Sequence, residues 1–182
     1  VQAASWPDDI KISVNVSPVQ FKNGGFVQLV VNALAMSGLA PSRLELEITE
    51  AVFIQDAAQA LALLNQLRAF GVRIAMDDFG TGYSSLSYLQ RFPFDKIKID
   101  QSFIKGVEES VGQQSIVQAV MTIAKTRNMT TTAEGVETEQ QKEVLRALGC
   151  TELQGYLFSP PISAAKMTEL ILSHGETVAR VA

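Results

Sequence analysis

Ile74-Ala75-Met76-Asp77-Asp78-Phe79-Gly80-Thr81-Gly82-Tyr83 passes from an apolar run straight into two adjacent carboxylates and a glycine-rich turn. A short apolar run bounded by turn residues reads as a buried strand. We assign it to residues 72–77, with polar chemistry at its C-terminal end.

Working outward, five further segments have the same character: 10–16, 44–49, 96–99, 130–133 and 152–156. Residues 25–37, 56–70, 84–91, 113–127, 137–148 and 164–173 have helical spacing and lie between or after them. Gly38 with Pro41, Gly71, Pro93 and Gly149 serve as stop signals, and Asp56 and Ser163 as N-caps. Strand and helix in strict alternation imply parallel strands joined by right-handed crossovers, as in an open doubly wound sheet or a closed α/β barrel. Periodicity alone fits either.

The polar residues favour the barrel. Each predicted strand brings one to its C-terminal end: Asn15, Glu47, Asp77 with Asp78, Lys98, Glu134 and Gln154. An open sheet gathers its ligands at one switch point, whereas a barrel gathers them from all its strands around a mouth. The expected fold class is therefore α/β, a TIM-like barrel incomplete here with six of eight strands. We expect residues 1–182 to form one domain whose two missing strands precede Val1.

The chain has 182 residues, 47% of them hydrophobic, enough for one well-buried core. Its 19 acids outnumber its 15 bases and there is no basic run, so no nucleic-acid polymer is expected as partner. A single cysteine, Cys150, excludes an internal disulfide framework and fits a reducing, cytoplasmic compartment. No apolar run reaches the roughly 20 residues that span a bilayer, although a longer parent could still be membrane-anchored.

Four acids in one mouth, Glu47, Asp77, Asp78 and Glu134, are costly unless cations neutralise them. With the amide oxygen of Asn15 they form a hard donor set suited to Mg²⁺ or Mn²⁺. Two such ions serve phosphodiester hydrolysis, with Lys98 beside the developing charge or the water. Taken singly, each residue has a plainer reading. Glu47 and Glu134 read as caps or ion-pair partners, Asn15 as a turn residue, Lys98 as an acid's partner, and Gln154 as a backbone ligand. Their joint placement carries the argument. Gly80-Thr81-Gly82 lacks phosphate-loop spacing and reads as loop. Cys150 and His174 receive no role.

Val14-Asn15-Val16-Ser17, Glu47-Ile48-Thr49-Glu50, Asp77-Asp78-Phe79-Gly80-Thr81-Gly82, Lys98-Ile99-Asp100, Ala133-Glu134-Gly135-Val136-Glu137 and Gln154-Gly155-Tyr156 together resemble, in order and spacing, the EAL domain family. Single motifs are modestly specific; six in order are highly so. The resemblance implies a bacterial cyclic di-GMP phosphodiesterase. It would be built on a TIM-like barrel with one reversed strand and use two Mg²⁺ or Mn²⁺ ions to open the ring to linear pGpG.

It further implies that Asn15, Glu47 and Asp77 ligate metal and that Asp78 joins or bridges them. Glu134 and Gln154 would complete the metal and water site, with Lys98 beside the catalytic water. Glu50 would anchor the loop of residues 78–86, and Asp100 and Glu137 would be accessory. A homodimer through residues 83–89 and neighbouring sensor or GGDEF-type domains are also implied. The Glu-Ala-Leu signature is absent from these residues, Gln101 stands where an arginine is common, and Pro160 where a basic residue is common. We therefore expect hydrolysis in the intact domain, inactivity of this segment alone, and, as the alternative, a non-catalytic cyclic di-GMP receptor.

Overall fold

The computed structural model describes residues 1–22, 25–54, 56–80 and 85–179. Its strands are β1 (Ile12–Asn15), β2 (Leu44–Ile48), β3 (Arg73–Phe79), β4 (Lys96–Ile99), β5 (Thr130–Ala133) and β6 (Glu152–Leu153). The helices are α1 (Pro18–Lys22), α2 (Phe26–Ser37), α3 (Ala57–Ala69), α4 (Ser85–Arg91), α5 (Gln101–Ile104), α6 (Val111–Thr126), α7 (Glu139–Ala147) and α8 (Ala164–Ala179).

The strands form one sheet in the order β1-β2-β3-β4-β5-β6, and every described pairing is parallel. That order settles the choice left open by periodicity. A doubly wound sheet reverses its order at a switch point, and this one never does. Sequential right-handed crossovers put every helix on one face and curl the other inward, giving half of a barrel wall. The reversed strand implied by the resemblance is not among the six described. Trp6, ahead of β1, donates its indole N–H to Thr168 of α8 at 2.9 Å, tying the segment before the first strand to the helix that follows the last.

Alternation along the strands creates two unlike faces. Ile48, Ile74, Met76, Ile97 and Ile99 point to the helices and are essentially inaccessible. Leu64 and Leu67 of α3 and Val117 and Val120 of α6 meet them there. Phe53, Phe92 and Phe94 stack into the same core beside Tyr88. The opposite face carries Glu45, Glu47, Ala75, Asp77, Lys96 and Lys98.

Local chemistry sets the helix ends. Asp56 caps α3 by accepting from the Gln59 N–H at 2.9 Å, and Ser163 accepts from Lys166 ahead of α8. Ser110 starts α6 at Val111, two residues earlier than the spacing predicted. Thr138 and Gln141 form a reciprocal capping box, so α7 begins at Glu139 rather than 137. The short helices α1 and α5 were not expected. The latter arises because Asp100, directly after β4, accepts from the Ser102 N–H at 2.9 Å.

β1 is shorter than expected, Ile12–Asn15 against 10–16, and two further strand assignments need correction. β6 ends at Leu153, not 156: beyond it Gln154 still donates its N–H to Ala133 and accepts from Val136, while Gly155 passes close against Val136, whose carbonyl accepts from Leu157. β3 runs through Phe79 instead of stopping at Asp77. Thr81, Gly82, Tyr83 and Ser84, and the side chains of Ser85, Leu86 and His174, lie outside the described residues. Most of the expected 78–86 loop and the start of the expected dimer stretch at 83–89 fall there.

Candidate functional site

The two aspartates meet through a β-bulge. In a regular strand their side chains would point to opposite faces. Here the register with β4 runs Met76↔Ile97 and then Phe79↔Ile99, so β3 spends one residue more than its neighbour between these points. Asp78 absorbs the extra residue with φ 53°, in the left-handed region that aspartate tolerates better than most residues. The convergence comes from within the strand, ahead of the turn at Gly80. Gly80 is needed for another reason, since a Cβ there would meet the Phe103 ring at 2.6 Å.

With the bulge in place, oxygens of Asp77, Asp78 and Glu134 lie within 4.8 Å of one another, and the Asp78 side chain is the most exposed of the three. Lys98, only 4% exposed, sits among the acids: its Nζ lies 2.7 Å from Glu47 Oε2, 2.9 Å from Asp77 Oδ1 and 2.7 Å from Glu134 Oε1. Burial alone would push this ammonium down, but the carboxylates of Glu134, Glu47 and Asp77 outweigh it and hold it well above the ordinary lysine value. Burial raises Glu134 despite Lys98. Asp78 is raised as well, by burial first and then by Asp77 and Asp100.

One ammonium cannot balance this many acids. Asp77 Oδ1 is buried and, though close to Lys98, is not positioned to accept a hydrogen bond from it or from any other described group. A buried, unsatisfied carboxylate oxygen beside two more carboxylates is a donor set for a hard divalent cation. The residues present fit Mg²⁺ or Mn²⁺.

The other expected residues are placed less tightly. Asn15 is exposed and aligned in register with Glu47 on the neighbouring strand. Glu47 reaches the cluster through Lys98. Gln154 is fixed by its backbone, its N–H donating to Ala133 at 2.9 Å and its carbonyl accepting from Val136 at 3.0 Å, with the residue exposed. Gly155 makes this possible, since a Cβ there would lie 2.1 Å from the Val136 carbonyl oxygen. Glu50 opens a short 3₁₀ turn, Glu50–Val52, directly after β2. Asp100 caps α5 and adds its field to Asp78. Glu137 is exposed, its N–H held by Gln141 at 2.8 Å.

Sequence reasoning missed a second charged group lower on the same face. Glu45, fully buried, pairs with Lys96 at 2.7 Å and Arg73 at 3.4 Å and accepts from Ser13 at 3.1 Å. Lys96 also pairs with Glu152, which accepts from Thr132 at 3.0 Å. Its signal was the repeat two residues apart, Glu45/Glu47 on β2 and Lys96/Lys98 on β4.

Comparison with known proteins agrees with this fold. The family model for the EAL domain matches residues 1–161. The bifunctional diguanylate cyclase/cyclic di-GMP phosphodiesterase MucR of Pseudomonas aeruginosa is 46% identical over 170 residues, covering 91% of this chain and 25% of that protein. The EAL domain of Mycobacterium smegmatis DcpA superposes with a TM-score of 0.90 at 40% identity, over 94% of this chain and 77% of that one. BlrP1 of Klebsiella pneumoniae, in a complex with manganese and cyclic di-GMP, superposes with a TM-score of 0.81 at 34% identity, over 88% of this chain and 41% of that one. The chain spans between a fifth and a quarter of the length of the first four curated relatives it matches. No helix among the described residues is long and apolar enough to cross a membrane.

Proposed function

The chain belongs to the EAL domain family, and on that footing we propose that its acidic mouth hydrolyses cyclic di-GMP to linear pGpG with the help of divalent cations. The observation that carries this reading is the convergence of Asp77, Asp78 and Glu134 oxygens within 4.8 Å, with Lys98 too few a counter-charge for the acids it meets. Asp77, Asp78 and Glu134 would hold one Mg²⁺ or Mn²⁺ ion, and Asn15 and Glu47 would extend the donor set toward a second. When bound, such ions activate a water and neutralise charge on the phosphoryl oxygens.

The chain's own residues do the rest. Lys98 is held rigidly by three carboxylates and offers a fixed positive charge at the mouth, where negative charge grows on the substrate. Glu134 and Gln154, from the ends of adjacent strands, orient the water. Glu50 steadies the loop that begins at Gly80, and Asp100 and Glu137 stand behind the site as accessory groups. The outer edges of β1 and β6 have no strand partner among the described residues. We therefore expect residues 1–182 to need strands on those edges for turnover and to be inactive as a separate polypeptide.

The test uses the protein that carries this domain. Asp77→Asn is expected to abolish Mn²⁺ binding, read by electron paramagnetic resonance, and to cut cyclic di-GMP turnover by about 100-fold or more, since even outer partners of a metal site are worth about 10–100-fold. Turnover that survives the substitution, or survives a chelator, overturns the reading. Cyclic di-GMP binding by the unaltered protein without turnover would replace hydrolysis with a receptor function.

A further inference from the structure

Glu45, Lys96 and Glu152 each stand two residues before a member of the mouth: Glu47, Lys98 and Gln154. Residues two apart on a strand share a face, so the lower layer lies directly beneath the upper one. In both layers the acid comes from β2 and the lysine from β4, strands that are not neighbours. The Lys96–Glu45 and Lys98–Glu47 pairs, each 2.7 Å, must both cross β3, spanning roughly 10 Å between strands. The crossing is open because, between Arg73 and Asp77, the β3 residue on that face is Ala75, register partner of both Glu47 and Lys96.

The register also exposes a competition. Lys96 is aligned through Ala75 with Glu47, yet it pairs with Glu45 and Glu152, leaving Glu47 to Lys98. We propose that the Glu45–Lys96–Glu152 layer is a positioning device: by satisfying Lys96 and Glu45 with each other, it keeps Glu47 and Lys98 at the level of the acidic cluster and so sets that cluster's affinity for a divalent cation. Lys96 deprived of Glu45 is free to turn to Glu47. Glu45 deprived of Lys96 is a buried acid that draws Lys98 down, with Arg73 at 3.4 Å as its remaining cation and the Ser13 hydroxyl at 3.1 Å.

The inference rests on the proposed function only for its metal arm. Mn²⁺ affinity is measured, below each variant's unfolding temperature, on the protein carrying this domain. Glu45→Gln and Lys96→Met are each expected to weaken it by about 10-fold, the scale of outer partners at metal sites. The double variant, with neither Lys96 nor the Glu45 carboxylate left to seek a partner in the upper layer, is expected to return to within about threefold of the parent. Lys96→Arg is expected to keep the parent affinity. Where a single variant does not fold, Ala75→Val, which retains every charge but fills the crossing, is expected to weaken Mn²⁺ binding in its place. Single variants with unchanged affinity, or a double variant no better than the worse single, overturn the proposal. The Lys98 ¹⁵Nζ resonance in chelator is the second readout, expected to move in the singles and return in the double. It tests the lower layer even where the parent binds no Mn²⁺, a result that would count against the proposed function alone.

Discussion

Two charged layers, built from the same residue types on the same strands, differ in how their charges balance. Below, Lys96 and Arg73 meet Glu45 and Glu152. Above, Lys98 alone meets Glu47, Asp77 and Glu134, with Asp78 beside them. A balanced group deep in a barrel is a way of filling the interior. A surplus of carboxylate, one oxygen of it unsatisfied, costs stability until a cation arrives. On the proposed function, the difference separates scaffold from site on one continuous face.

The contrast can be broken most directly at its two glutamates. Glu45→Gln, which leaves the buried Lys96 and Arg73 short of an acid, is expected to cost about 3 kcal/mol, roughly 6–12 °C of melting temperature for a domain of this size. Glu47→Gln is expected to change the melting temperature in chelator far less, because Lys98 keeps Asp77 and Glu134, while metal binding suffers. Thermal denaturation of both variants in chelator decides; equal losses would erase the distinction between the layers.

Gly155→Ala addresses the rim that seats Gln154 above the lower layer. The added methyl would overlap the Val136 backbone, and the shift needed to relieve it should cost about 2 kcal/mol. Denaturant titration measures this; an unchanged midpoint would mean that the rim adjusts freely.

The smallest effect is on pH dependence. Asp78, raised by burial and by Asp77 and Asp100, and Glu134, raised by burial, bind protons more readily folded than unfolded. Acidification from neutrality through their raised values, toward the ordinary 3.8 and 4.5, therefore adds stability in chelator. Glu152 has the opposite sign: burial would raise it, but Lys96 holds it low, so its contribution is present above the ordinary 4.5 and lost as pH falls further. A shallow maximum in melting temperature on the acid side of neutrality is expected, its rising limb flattened by saturating Mn²⁺. A steady decline from neutral pH downward would contradict the surplus in the upper layer.

Much of this architecture was legible in the chain. All six strands were visible as short apolar or β-branched runs; in β2, β3 and β4 the face that packs on helices carries Ile, Leu or Met. The ring from Asn15 to Gln154 was visible because strand ends in a barrel share one rim. Misplaced boundaries have local causes: the Asp100 cap that makes α5, and the close pass of Gly155 against Val136 just beyond β6. Lys98 was expected beside water and, by its plainer reading, beside an acid; it is held by three. The lower layer went unread because a single charge inside a strand looks like an edge or a surface until its partner is known. That partner lies two strands away.

The sequence by itself determined the order of strand and helix, the parallel pairing that follows from it, and the residue types at each strand's end, all of which are properties of local spacing. Only the tertiary structure decided which charges meet. The bulge that turns Asp77 and Asp78 to one side is a mismatch between two strands, and the crossing over Ala75 depends on three. Neither is written in any one segment, since register is a relation between strands that are distant in the chain.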